Sequence, residues 1–170
     1  MEFDYIIIGA GSAGCVLANH LSSDVRNRVL LIEAGPDTGA LSLKMPAAVL
    51  SNLTSTRHNW AFQGEPEPGL DGRVIQHDRG KTIGGSSSIN GMVFIRGHAL
   101  DYDGWQQAGC PGWGYADVLP YFKRMETYGG GGDEFRGVGG PLHVHRAEPQ
   151  DPITLAFIKA GQEAGYPLTN

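Results

Sequence analysis

The chain opens with Phe3-Asp4-Tyr5-Ile6-Ile7-Ile8-Gly9-Ala10-Gly11-Ser12-Ala13-Gly14, and this stretch decides the fold class. Tyr5 to Ile8 is aromatic and β-branched with no polar alternation, the pattern of a parallel strand buried on both faces. Ala13, Leu17 and Leu21 follow at helical spacing, with Val16 beside them. A second apolar strand runs from Arg28 to Ile32 and ends at Glu33. Strand, glycine turn, helix, strand and acid, in that order, predict an α/β fold built on parallel strands.

Each part has a physical task. Gly9 lets the chain turn out of the strand, Gly11 lets a pyrophosphate approach bare backbone, and Gly14 lets helix and strand pack closely. Ser12 and Ala13 complete the loop, and the helix start behind it offers unpaired N–H groups and a positive dipole end. Glu33, 24 residues beyond the first glycine, can accept hydrogen bonds from ribose hydroxyls and would repel a 2′-phosphate. The unit therefore reads as a dinucleotide site, and by itself does not separate FAD from NAD. Cys15, in the first helical turn, reads as a small packing residue.

Composition narrows the class. The chain has 170 residues, about one average domain, with 13 basic and 18 acidic side chains and a net charge of −5. That balance argues against a nucleic-acid partner held through phosphates. Glycine, at 26 residues, is about twice its usual share without a collagen period, which points to tight turns and backbone–ligand contacts. No apolar run reaches the ~18–20 residues of a membrane span, and acidic Glu2 and Asp4 leave no basic region for a signal peptide. Two cysteines make no disulfide framework, so a reducing compartment is expected: cytoplasmic, or peripheral to the inner face of a membrane.

From Gly35 to Arg79 regularity is lost, with Pro36, Pro46, Pro66 and Pro68 punctuating the stretch. Its most apolar knot is His58-Asn59-Trp60-Ala61-Phe62. Then comes Arg79-Gly80-Lys81-Thr82-Ile83-Gly84-Gly85-Ser86-Ser87-Ser88-Ile89-Asn90-Gly91-Met92-Val93-Phe94-Ile95-Arg96-Gly97. A glycine pair followed by three serines makes a turn whose N–H and hydroxyl groups can face an anion or a flavin. A second glycine loop after a dinucleotide fingerprint suits a long two-part cofactor better than NAD.

These residues resemble the first signature of the glucose–methanol–choline (GMC) family of FAD-dependent oxidoreductases. The match runs from Gly80 through Lys81, Ile83, Gly84-Gly85, Ser86-Ser87, Ile89, Asn90, Phe94 and Gly97 to Asp103. Flanking residues agree: Glu33-Ala34-Gly35-Pro36, Asn59-Trp60, Trp105, Gly112-Trp113 and Leu119-Pro120-Tyr121-Phe122. The resemblance covers the whole chain and is greatest to the choline and alkanol dehydrogenase branch. It implies an FAD-binding, Rossmann-like, three-layer domain, incomplete here, followed by the beginning of an α+β substrate-binding part. Residues 1–35 and 80–97 would form the core, 36–79 an excursion near the cofactor, and 98–170 the start of the substrate region.

The resemblance also implies roles. Gly9, Gly11, Ser12, Ala13 and Gly14 would hold the FAD pyrophosphate and Glu33 the adenosine ribose. Trp60 would touch the cofactor. Gly80, Lys81, Thr82, Ile83, Gly85, Asn90, Gly91, Met92 and Val93 would lie along the flavin half. The position at which some relatives attach FAD through histidine is Ile89, so the flavin should be non-covalent. The implied reaction is hydride transfer from a small alcohol, primary or choline-like, to flavin, with oxygen or a quinone as electron acceptor. The family's C-terminal proton-accepting histidine and its His or Asn partner have no counterpart, so no catalytic residue is assigned. The chain is expected to be the N-terminal part of a longer enzyme, poorly folded and inactive alone. An NAD-dependent enzyme would leave the 80–103 signature unexplained.

In the last seventy residues, Asp101, Asp103 and Trp105 fall on a short helix. Val118, Leu119, Phe122 and Met125 give Tyr115 to Tyr128 one apolar helical face. Gly129 to Gly140, with seven glycines, reads as a flexible surface loop. Leu142-His143-Val144-His145 reads as a strand with both histidines on one side, and no third metal ligand follows by spacing. Asp151 reads as an N-cap with Pro152 at the first helical position, and Gly165 as the C-terminal stop. His20, His58, His77 and His98 are scattered and read as structural or surface residues. Ser86 to Ser88 have no His or Asp partner at diagnostic spacing for a nucleophile.

Overall fold

The structure, a computed structural model, describes residues 1–37, 39–147 and 151–168. The chain divides into two compact units, Met1–Val93 and Phe94–Asn170. The division falls just short of the expected boundary at residue 97, and the signature's last residues belong to the second unit. Thr169 and Asn170, the end of the expected substrate region, lie outside the described residues.

In the first unit β1 (Tyr5–Ile8) leads through α1 (Ser12–Ser22) to β2 (Val29–Ile32). The two strands pair in parallel, with Tyr5 opposite Val29 and Ile8 opposite Ile32. This is the strand–helix–strand unit read from the sequence. The stretch that follows is mostly irregular, as expected, with short helices α2 (Leu41–Lys44) and α3 (Val49–Leu53) and a two-residue hairpin ladder, β3 (Phe62–Gln63) against β4 (Gln76–His77).

One expectation fails here. β1 is not buried on both faces: Ile7 is buried, while Ile6 is 60% and Ile8 86% exposed. Among the described residues β1 pairs with β2 alone, so its other edge carries no strand and the third layer is missing. The buried apolar core consists of Ile7, Ala10 and Ile89. Ala10 follows the turn out of β1 and Ile89 closes the serine turn, so what is buried lies around the two glycine loops.

The second unit begins with α4 (Ala99–Gln107) and α5 (Tyr115–Met125). α4 starts in a reciprocal cap: His98 Nδ1 accepts from Leu100 N and Asp101 accepts from His98 N. Asp103, farther along α4, accepts from Tyr115 N at 2.9 Å and fixes where α5 begins. The helices meet through an aromatic edge, Tyr102 of α4 lying 5.6 Å from Phe122 of α5. β5 (Glu126–Tyr128) pairs in parallel with β6 (Leu142–Val144), and α6 (Pro152–Glu163) follows. Asp151 caps α6 through Ile153 N and Thr154 N, and Gly165 leaves it at φ +91°, as the sequence indicated.

Two readings of this unit are corrected. The helix expected to run to Tyr128 ends at Met125 because Glu126 turns inward as strand. Its carboxylate is fully buried between Arg96 at 2.6 Å and Arg136 at 3.1 Å, and also accepts from Gly137 N. The glycine-rich stretch from Gly129 to Gly140 is not a loose linker either. Arg96 donates to Phe135 O, Lys123 to Asp133 O, and the Asp133 carboxylate takes the N–H groups of Phe135 and Arg136. Those two N–H groups, Arg136 first, hold the Asp133 carboxyl below its ordinary range.

Candidate functional site

The first unit brings three segments together around the loop after β1. Gly9 turns at φ +95° while its N–H still pairs with Ile32 O. A Cβ on Gly14 would run into the Gly9 carbonyl, so α1 starts hard against the end of β1. From the second glycine loop, Gly84 N donates to Ala10 O at 2.6 Å. A Cβ on Gly85 would sit 2.8 Å from Gly11 Cα. Both loops therefore join backbone to backbone, and only glycine allows that approach.

Glu33 ties in the third segment. Its Oε2 accepts from Ala10 N at 2.8 Å and its Oε1 from Gly35 N at 2.9 Å. Beyond it, the Pro36 carbonyl accepts from the Thr82 hydroxyl at 2.8 Å. Thr82 is fully buried, so its side chain closes the cradle from behind. Cys15 also faces the loop, its Sγ donating to Ala10 O.

These segments frame an open cleft of about 790 Å³. Of the residues expected from sequence, Gly9, Gly11, Ser12, Ala13, Gly14, Glu33, Trp60, Gly80 and Gly85 line it. Lys81 stands just behind, its Nζ 4.5 Å from the Trp60 ring centroid. Ile83, Gly91 and Val93 do not line the cleft, and Asn90 and Met92 instead line a recess of about 100 Å³ with Met45, Pro46 and Val49. The sequence reading missed Phe62, Arg79 and Ser86 as lining residues. Phe62 stacks on Trp60 at 5.7 Å with the rings 7° apart. Among the described residues there is no cluster of His, Cys, Asp or Glu able to hold a metal, and no helix long and apolar enough to cross a membrane.

Residues 3–170 match the GMC oxidoreductase family. The chain belongs to that family. A protein from Sinorhizobium fredii (strain NBRC 101917 / NGR234) named oxygen-dependent choline dehydrogenase is 54% identical over 171 residues, spanning 100% of this chain and 31% of that protein. Pyridoxine 4-oxidase from Mesorbium loti superposes with a TM-score of 0.84 at 40% identity, covering 98% of this chain and 33% of that one. An FAD-dependent oxidoreductase from Chaetomium thermophilum superposes with a TM-score of 0.75 at 31% identity, covering 98% and 30%. This GMC chain thus spans about a third of the length of these relatives.

The cleft's own residues fit FAD, the cofactor implied by the resemblance to the family. No side chain caps the start of α1, which leaves the first-turn N–H groups for an anion. A Cβ on Gly11 would meet nothing nearer than Gly85 Cα at 4.0 Å, so bare backbone faces the cleft. The volume lies within the ~300–1,000 Å³ usual for ligand pockets.

Proposed function

We propose that this chain is the FAD-holding part of an oxidoreductase that converts a small primary alcohol, choline or a choline-like compound, to an aldehyde. The observation that carries the reading is the junction of the Gly9–Gly14 and Gly80–Gly85 loops into one floor, with Glu33 beside it. Bound FAD would supply the hydride-accepting chemistry; the protein binds and orients it. In this reading the α1 N-terminus and Gly11 to Gly14 take the diphosphate, Glu33 the ribose hydroxyls, and Trp60, Gly80 and Gly85 the remainder. Residues 1–35 and 80–97 make the cofactor core and 98–170 begin the substrate region. The name of the Sinorhizobium fredii relative supports choline as donor and oxygen as acceptor. The free thiols of Cys15 and Cys110 support a cytoplasmic location.

The test is direct. The whole oxidoreductase of which this chain is the FAD-holding part should, when purified, carry releasable FAD that excess NAD does not displace. Choline or a primary alcohol, added anaerobically to the FAD-loaded enzyme, should bleach the flavin's visible absorbance. Protein that binds NAD in place of FAD, or flavin that no alcohol reduces, would overturn the proposal.

A further inference from the structure

Asn59, next to Trp60, is the most completely engaged side chain in the first unit. It is 2% exposed, and its amide uses its full hydrogen-bonding capacity. Nδ2 donates to Leu53 O and to Asp78 Oδ1, each at 2.7 Å. Oδ1 accepts from Ala61 N and from Arg79 N, each at 3.0 Å. The backbone on both sides joins the same two segments: Trp60 N donates to Arg79 O, and Lys81 N to His58 O. Arg79 and Gly80 on one segment, and Trp60 and Phe62 on the other, all line the cleft.

Ala61 shows what this network holds in place. Its φ is +47°, a left-handed conformation that a residue with a Cβ adopts only under constraint. The Ala61 N–H is bound by Asn59 Oδ1, so the constraint comes from this amide. That kink lies between Trp60 and Phe62 and sets the stacked pair at the cleft wall. Asp78 braces the amide from outside, and Gln76 Nε2 in turn holds Asp78 Oδ1 at 2.7 Å.

We propose that Asn59, braced by Asp78, is the positioning residue for Trp60, holding the indole at the wall of the cleft where it meets the cofactor. This rests on the FAD reading above. Asn59 acts through Trp60 and makes no contact with the cofactor itself.

The experiment uses the whole FAD-loaded oxidoreductase of which this chain is part, with the flavin as probe. Trp60→Leu gives the reference: loss of the indole is expected to raise bound-flavin fluorescence and speed FAD release. Asn59→Asp sets a carboxylate against Asp78 where a donor stood, and should reproduce that signature with FAD retention weakened about tenfold. Exchanging the pair, Asn59→Asp with Asp78→Asn, restores one hydrogen bond with donor and acceptor reversed. Leu53 O then faces a carboxylate oxygen in place of an amide donor, so fluorescence and retention should recover in part, ahead of Asn59→Asp alone. Should Asn59→Asp alone not fold, Asp78→Leu and the exchange carry the test, the first expected to show the Trp60→Leu signature and the second to move back toward the parent. Parental flavin fluorescence in a folded Asn59→Asp or Asp78→Leu protein, or in Trp60→Leu, would overturn the positioning role and leave the FAD reading standing. Protein that takes up no FAD at all overturns both.

Discussion

Glu33 Oε2 accepts the backbone N–H of Ala10 at 2.8 Å, so the acid at the end of β2 holds the loop at the end of β1. The same carboxylate that was expected to meet a ribose also sets the geometry of the phosphate turn. Its second oxygen is engaged too, by Gly35 N. Removing it should therefore act on both halves of an adenosine diphosphate site.

Glu33→Ala is expected to weaken FAD retention at least about tenfold, since a hydrogen bond to a charged group is worth ~1.5–3 kcal/mol. Glu33→Gln keeps one acceptor oxygen and should lose less. Dilution followed by measurement of protein-bound flavin checks both. Unchanged cofactor content in Glu33→Ala would remove Glu33 from the site.

The flavin should be wholly releasable. Ile89, at the position where some relatives carry the attaching histidine, has no nucleophilic atom and is 3% exposed. Acid precipitation should leave a colourless pellet and a yellow supernatant. A yellow pellet would place a covalent link on another residue.

The buried Arg96–Glu126–Arg136 cluster should govern the stability of the second unit. Glu126 is fully buried, and the guanidiniums also lie over aromatic rings, Arg96 over Phe122 at 5.1 Å and Arg136 over Tyr128 at 4.2 Å. Breaking a buried pair by removing one partner costs ~3–5 kcal/mol. Arg96→Leu also loses the bond to Phe135 O, so the Gly129–Gly140 stretch should come free. Protease cleavage within that stretch, absent from the parent and rapid in Arg96→Leu, is the expected result. Equal resistance in both would mean the cluster does not hold the loop.

That cluster marks where the sequence stopped being legible. The glycine loops and the caps of α6 were readable because each rests on local backbone chemistry, and the acid at Glu33 because the strand–helix–strand spacing fixes its place. Glu126 continues a helical pattern, and only Arg96 and Arg136, distant in sequence, draw it inward. A run of glycines says that the chain can bend and is silent on whether Lys123, Asp133 and Arg136 tie it down. Asn59 stood out only within the His58–Phe62 knot and the Asn59-Trp60 motif, because two of its four partners, Asp78 and Arg79, lie in a segment that the fold alone brings to it. The exposure of Ile6 and Ile8 was unreadable for the opposite reason. Their composition suits a buried strand, and burial depends on neighbours that β1 lacks among the described residues.

Acid should act on the first unit through Asp78. Its carboxyl is held below the ordinary aspartate value by the hydrogen bond from Asn59, then by that from Gln76, with smaller help from Arg79 and His77 against the opposing effect of burial. A depressed folded value means the contribution is present above the unfolded value of ~3.9 and is lost as pH falls through the folded one. Asp78→Asn should therefore lower the urea midpoint at neutral pH, and the gap between the two proteins should begin to shrink below about pH 4. A gap that stays constant down to pH ~3 would show that the charge of Asp78 contributes nothing. Asp24 and Asp133, also held low by their own hydrogen bonds, titrate alike in both proteins and cancel in the comparison.

Residues 1–170 expressed alone should bind flavin poorly and oxidise no alcohol above background. The described cleft lining contains one carboxylate, Glu33, one cation, Arg79, and no histidine. Both Glu33 oxygens already accept backbone N–H bonds and the proposed ribose contact adds to them, so that carboxylate is not free as a base. His98 is committed as well, its Nδ1 capping α4. General-base catalysis is worth typically 10²–10⁴-fold, and nothing lining this cleft is free to supply it. The fold adds a second obstacle. β1 offers an open edge with Ile6 60% and Ile8 86% exposed, and α6 exposes Ile153 at 80% and Phe157 at 79%, surfaces that favour association of copies over a dispersed monomer. Expression of residues 1–170, followed by sedimentation and by assay of choline and primary alcohols with a dye acceptor, checks both halves. Aggregated or loosely folded protein without turnover is the expected outcome. Sustained, flavin-dependent turnover would mean that the proton acceptor lies within these residues, with His98, His143 and His145 the first to replace.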